Sequence, residues 1–224
     1  RKTKLVEPET ELKFLGFGTM NGKDGKPFKT RDGGVLRLEK LLEDVNEQVL
    51  DKMKDRDMDK DMIDDAAAKI SLAAIKYGDL SNQASKDYVF DVDRFISFEG
   101  NTGPYILYTI VRIKSILHKY QAQGNSLDGL KVQEAHADCE KALMLEAAKY
   151  NDVIANAFQD LAPHKICAYI YDLANAFNRF YHETKILGEE NAEKQKSYIA
   201  LLKVTKDVLE GCIDVLGFEA PERM

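Results

Sequence analysis

The segment 99–119 limits the possible folds most, because it combines a helix start with an apolar side too wide to remain in water. Pro104 suits the first helical turn, where its missing N–H would have no partner anyway, and Thr102 or Gly103 can cap the helix. Seven aliphatic residues follow at helical spacing: Ile106, Leu107, Ile110, Val111, Ile113, Ile116 and Leu117. This segment predicts a helix buried along one wide side.

The other side of the same helix carries Tyr105, Tyr108 and Arg112 at positions i, i+3 and i+7, within about 60° of one another. Aromatic rings and guanidinium planes stack on unpaired nucleic-acid bases, at about 1–3 kcal/mol per base. The alternative is that the tyrosines lie at the edge of the core with hydrogen-bonded hydroxyls.

A later helix places Asn178 and Tyr181 on one side. The amide of Asn178 offers both a donor and an acceptor, as reading the edge of a base requires. The alternatives are a solvent-facing amide for Asn178 and a core aromatic for Tyr181.

Apolar periodicity predicts helices along most of the chain. They cover about 35–53, 60–77, 104–123, 135–148, 150–161, 163–184 and 190–216. Gly78 and Gly217 are expected to end the second and the last of these helices. Residues 11–20 alternate and predict a strand, and residues 87–98 predict a short strand followed by a helical turn. Five helices with short links after residue 99 predict an antiparallel bundle.

Residues 21–34 form a glycine-bracketed segment with four basic side chains, Lys23, Lys26, Lys29 and Arg31, against two aspartates. A basic loop after a strand is a candidate phosphate clamp. It lacks the GxxxxGK[ST] pattern of a P-loop. The alternative is an ordinary solvated hairpin.

Composition limits the function. The 224 residues suffice for one large domain or two small ones, and the net charge of −6 argues against a protein that coats nucleic acid without regard to sequence. No apolar run approaches the roughly 20 residues that span a bilayer. Three scattered cysteines predict free thiols in a reducing compartment, and the four scattered histidines predict no metal site. Because the chain begins with Arg1 rather than Met, we expect a piece of a longer protein.

Four segments resemble the C-terminal half of the class I arginyl-tRNA synthetases, over essentially the whole chain. GFGTMNGKDGKPFKTRDGG is similar to the strand and loop at the position of the KMSKS signature. FEGNTGPYILYTIVRI resembles the family's EG-x-TGPYLQY-x-x-x-R helix, and YDLANAFNRFYHETKIL resembles its late helix. The terminal PERM is similar to the usual end of the family.

This resemblance implies a mainly α fold. An antiparallel helix bundle at 99–224 would be the anticodon-binding domain. Residues 1–47 would be a small α/β remnant of the catalytic nucleotide-binding domain, and residues 48–98 a helical connector.

The resemblance also implies the chemistry of the complete enzyme, which makes arginyl-adenylate from arginine and Mg²⁺-bound ATP before joining arginine to its tRNA. Lys29 and Arg31, with Phe28 and Thr30, match the cationic loop that stabilises charge on the phosphates, and Lys26 is the alternate cation. No HIGH-like string occurs in the sequence. We therefore expect the 224 residues alone to be inactive in pyrophosphate exchange, and we expect no cofactor in them.

Tyr105, Tyr108, Tyr181 and Met224 match positions that surround unstacked anticodon-loop bases in the family. Arg112 and Asn178 join this set from their spacing alone. The implied partners are arginine tRNA, arginine and ATP, without DNA or membrane, for a cytoplasmic monomer. The competing interpretation is a non-catalytic helical module whose tyrosine stripe docks a partner protein.

Overall fold

Helices make up most of the computed structural model, which describes residues 5–27 and 37–224. Its helices are α1 Leu38–Met53, α2 Lys60–Leu80, α3 Val92–Phe95, α4 Gly103–Ala122, α5 Asp138–Ala148, α6 Tyr150–Asp160, α7 Pro163–Glu183 and α8 Ala192–Leu216. The two strands are β1 Met20–Asn21 and β2 Tyr88–Val89. The mainly α fold expected from the sequence is confirmed. None of the helices in the described part combines the length and hydropathy needed to cross a bilayer.

The two strands pair in parallel, with Met20 opposite Tyr88. The prediction of a strand over residues 11–20 is wrong, because only Met20 belongs to a strand. An extended segment needs a neighbouring strand for its backbone groups, and within the described residues β2 pairs with it over only two positions. Phe14 and Phe17 are consequently exposed.

The helix pair α1–α2 begins the core. Leu41, Val45, Val49 and Met53 recur every four residues on α1 and are buried. The prediction that Gly78 ends α2 is wrong, since the helix continues to Leu80. A Cβ at Gly78 would lie 2.5 Å from a ring carbon of Phe95, so this glycine makes room for a distant ring.

Helix α4 begins where the sequence predicted. Thr102 is its N-cap, and the Thr102 hydroxyl accepts a hydrogen bond from the Tyr105 N–H at 3.3 Å. The helix crosses α2 closely at Gly103, where a Cβ would lie 2.3 Å from the Ala73 carbonyl oxygen. Ile106, Ile110 and other aliphatic residues of its apolar side are fully buried.

The directions of the bundle helices follow from pairs of contacting residues. Helix α8 is antiparallel to α4, because Lys114 pairs with Glu210 while the later Tyr120 lies near the earlier Lys196. Helix α7 is antiparallel to α5, because Cys139 lies 3.9 Å from Thr184 while the Tyr169 hydroxyl reaches the Glu146 carbonyl at 3.1 Å. Helices α4 and α7 run in the same sense instead, because Tyr105 contacts Asn175 and Arg112 contacts Asn178 and Tyr181. The candidate site lies along this α4–α7 contact.

Candidate nucleic-acid interface

A guanidinium lies between two tyrosines on the surface formed by α4 and α7. The Cζ atom of Arg112 is 4.6 Å from the ring centroid of Tyr108 and 5.0 Å from that of Tyr181. Both rings are 37% exposed. We call these three residues the tyrosine–arginine stack. Contacts of a cation with aromatic faces are attractive, and the exposed parts of the rings remain open to a flat ligand.

A chain of hydrogen bonds runs from the stack toward the start of α4. Arg112 Nη1 donates to Asn178 Oδ1 at 2.6 Å, and Asn178 Nδ2 donates to the Tyr105 hydroxyl at 2.9 Å. The Tyr105 hydroxyl donates in turn to Asn175 Oδ1 at 2.7 Å. We call Arg112, Asn178, Tyr105 and Asn175 the polar chain. It fixes the side chains of the two helices relative to each other.

The Tyr105 ring is half-buried at the end of this arrangement, with its centroid 5.7 Å from that of Tyr171. Burial raises the pKa of the Tyr105 hydroxyl, an effect larger than the opposing hydrogen bond from Asn178. The hydroxyl therefore keeps its proton at neutral pH and can donate to Asn175.

Buried side chains support the site from below. The ring of Phe177, which is inaccessible to solvent, lies 6.0 Å from Tyr181. Thr109 is also fully buried between the helices, and its hydroxyl donates to the Tyr105 carbonyl at 3.0 Å. His182 extends the aromatic surface, with its ring 5.6 Å from that of Tyr181.

The structure brings five of the predicted tRNA-contacting residues together, namely Tyr105, Tyr108, Arg112, Asn178 and Tyr181. Met224 is half-buried and packs against the hydrophobic core. The amide of Asn178 does not face solvent, which was one alternative, because both of its polar ends bond to protein atoms.

Sequence reasoning missed Asn175 and Tyr171 as members of the site. Asn175 precedes Asn178 by three positions and Tyr171 precedes it by seven, so both share its side of α7. That spacing was the available signal, but it gave no indication of the contact with Tyr105.

The predicted phosphate-binding residues Phe28, Lys29, Thr30 and Arg31 lie outside the described residues. Lys26 is exposed, and its backbone N–H donates to Asp24 Oδ1 at 3.1 Å. In the described part of the chain, no carboxylate pairs with its ammonium group.

The neighbouring Lys23 is already neutralised. It forms ion pairs with Asp93 and Asp91, which raise the pKa of the Lys23 ammonium. The described portion of the structure also contains no cluster of three or more His, Cys, Asp or Glu side chains able to hold a metal ion.

Comparisons with known protein families identify two parts of the chain. Residues 106–224 match the model of the DALR anticodon binding domain, and residues 1–92 match that of the class I tRNA synthetase (R) catalytic domain. The whole chain aligns with the arginine–tRNA ligases of Agathobacter rectalis at 62% identity and of Alkaliphilus oremlandii at 54% identity. The chain spans 39% and 38% of the lengths of these two relatives.

Solved structures give the same result. The Thermus thermophilus arginyl-tRNA synthetase superimposes with a TM-score of 0.82 at 25% identity, over 94% of this chain and 35% of that one. The Plasmodium falciparum arginyl-tRNA synthetase superimposes with a TM-score of 0.72 at 27% identity, over 85% of this chain and 34% of that one. The chain therefore belongs to the arginyl-tRNA synthetase family, with residues 106–224 as its DALR anticodon binding domain.

Proposed function

We propose that this protein takes part in joining arginine to its tRNA, and that its helical bundle, residues 99–224, binds unstacked bases of the anticodon loop. The observation that carries this proposal is the tyrosine–arginine stack, in which Tyr108 and Tyr181 are partly exposed around Arg112. Bases that leave the RNA stack need flat partners, and tyrosine rings with a guanidinium plane supply them.

Stacking also reconciles tRNA binding with an acidic protein. A net charge of −6 gives little general attraction to phosphates. Stacking contributes about 1–3 kcal/mol per base without requiring net positive charge. The bundle would therefore select a few bases rather than coat the RNA backbone. Met224, which is half-buried against the core, would add an apolar contact to a base.

The proposal extends to the catalytic half. Residues 1–47 would be the end of the nucleotide-binding domain and residues 48–98 the connector to the bundle. Arginine and Mg²⁺-bound ATP would be the substrates, with Lys29 and Arg31 of the loop, beside Phe28 and Thr30, stabilising charge on the phosphates. Lys26 remains the alternate cation, because none of the described carboxylates pairs with its exposed ammonium.

We place the protein in the cytoplasm as a monomer, without DNA or membrane partners. The buried free thiols of Cys139, Cys167 and Cys212 support a reducing compartment.

Replacing Tyr108 tests the proposal. In a fluorescence titration, Tyr108→Ala should weaken binding of arginine tRNA about tenfold, the equivalent of one stacked base. The same tRNA with a swapped anticodon should bind the unmodified protein weakly. Its affinity should change by less than about twofold in Tyr108→Ala. Tyr108→Phe, which keeps the ring, should bind like the unmodified protein.

Phe158→Ala is the matched control, since it removes a ring on α6 that is 81% exposed. It should leave both affinities unchanged. Equal losses for the two tRNAs, or no discrimination between them by the unmodified protein, would support the protein-interaction module instead.

A further inference from the structure

The direction of the polar chain is set by Arg112. A guanidinium carries only donors, so the atom 2.6 Å from its Nη1 must be an acceptor, and it is Oδ1 of Asn178. The nitrogen of the same amide must then point away from Arg112. It lies 2.9 Å from the Tyr105 hydroxyl and 3.5 Å from the Thr109 hydroxyl.

The same logic applies to the next two residues. The Tyr105 hydroxyl accepts from Asn178, and its single proton is directed to Asn175 Oδ1 at 2.7 Å. Since the oxygen of the Asn175 amide faces Tyr105, the nitrogen faces the other way. Because the guanidinium of Arg112 can only donate, it determines which end of the Asn175 amide, three hydrogen bonds away, faces outward.

Asn175 is exposed, and none of the described residues accepts a hydrogen bond from its Nδ2. The nearby cation on α7 is engaged, because Arg179 Nε donates to Glu183 Oε1 at 2.9 Å. The polar chain therefore ends at the surface in two N–H donors that have no acceptor among the described residues. These donors match acceptor atoms, which a nucleotide offers on its base edge and on its phosphate.

We propose that Asn175 is a further tRNA-contacting residue, which donates from Nδ2 to an acceptor atom of an anticodon-loop nucleotide. In this arrangement Asn178 is a positioning residue, because its amide holds Arg112 and Tyr105 rather than a base. The inference rests on the proposed function and adds to it that the protein donates the hydrogen bond and the nucleotide accepts it.

Substitutions at position 175 test the contact in the same titration. Asn175→Ala should weaken the binding of arginine tRNA about fivefold, as expected for the loss of one hydrogen bond. A loss restricted to arginine tRNA identifies a base acceptor, whereas an equal loss with the anticodon-swapped tRNA identifies a phosphate. Asn156→Ala, at an exposed asparagine of α6, is the matched control and should change neither affinity.

An isosteric change tests the positioning role of Asn178. In Asn178→Asp the carboxylate accepts from both Arg112 and Tyr105, so the Tyr105 hydroxyl no longer donates to Asn175. The Asn175 amide must then turn its nitrogen inward to donate to Tyr105, leaving its oxygen outside. Asn178→Asp should bind arginine tRNA about fivefold more weakly, at unchanged thermal stability, and adding Asn175→Ala should weaken binding by less than about twofold further.

Two results would overturn the inference. One is an affinity for arginine tRNA within twofold of normal in Asn175→Ala, while the unmodified protein still distinguishes anticodons. The other is a full additional fivefold loss when Asn175→Ala is combined with Asn178→Asp. A protein that does not distinguish anticodons at all would contradict the proposed function itself, which separates the two failures.

Discussion

Arg112 uses its side chain in two ways at once. Its plane contacts the rings of Tyr108 and Tyr181, and its edge donates to Asn178 Oδ1. Only a planar group with several fixed donors can do both, which distinguishes arginine from lysine despite their equal charge.

Arg112→Lys therefore separates shape from charge. The ammonium keeps the positive charge but cannot lie flat between the two rings, so we expect arginine tRNA to bind about tenfold more weakly. A fluorescence titration measures this loss. Arg56→Lys makes the same exchange at an exposed site between α1 and α2 and should have no effect. Normal binding by Arg112→Lys would show that charge alone suffices.

Part of this site was predictable from the sequence and part was not. The shared side of Tyr105, Tyr108 and Arg112 follows from helical spacing within one segment. The pairing of Arg112 with Asn178 joins residues 66 positions apart, and local periodicity carries no information about that contact. The orientation of the Asn178 and Asn175 amides depends on this contact, so the sequence could not predict it either.

At the scale of the secondary-structure elements, the close contact between α2 and α4 constrains the position of the site. Gly103 lies against the backbone of Ala73 at the start of α4, the helix that carries the tyrosine–arginine stack. Any side chain here must push the two helices apart.

We expect Gly103→Ala to lower the free energy of unfolding by about 1–3 kcal/mol, as is typical of overpacking. The added Cβ would lie 2.3 Å from the Ala73 carbonyl oxygen. Urea denaturation measures the change. Gly188→Ala is the control, because a Cβ there lies 3.8 Å from its nearest neighbour, Lys185. Equal stability of the two variants would mean that the helices separate without cost.

The predicted elements differ from the observed ones for long-range reasons. Helices with continuous apolar spacing begin and end within about three residues of the prediction, because the pattern and the caps are local. The strand over residues 11–20 was predicted wrongly, since it needed a pairing partner that local alternation does not reveal. Helix α2 continues past residue 77 to Leu80, and Gly78 instead makes room for the distant ring of Phe95.

Across the whole molecule, the cysteines report on the integrity of the core. Cys139, Cys167 and Cys212 belong to α5, α7 and α8, and all three are buried. Burial raises the pKa of the Cys167 and Cys212 thiols from an ordinary value of 9.0 to about 12.

Thiol labelling should therefore be slow in the folded protein. A raised pKa favours the neutral thiol, and the thiolate is the reactive form. We expect no rapid reaction of Cys167 or Cys212 with a disulfide reagent between pH 7 and about pH 10, and rapid reaction of all three cysteines in denaturant. A colorimetric assay counts the thiols. Fast labelling of Cys167 or Cys212 at pH 8 without denaturant would indicate an open core.

The inaccessible residues Phe177 and Thr109 have one more consequence. Phe177 packs against the ring of Tyr181 and Thr109 contacts Asn178, so both restrict side-chain rotamers at the site. Conformational entropy is therefore lost when the chain folds rather than when RNA arrives. Preorganisation of this kind reduces the entropic penalty of association. The anticodon would then meet a surface that is already assembled, and most of the ordering at encounter would fall on the nucleotides.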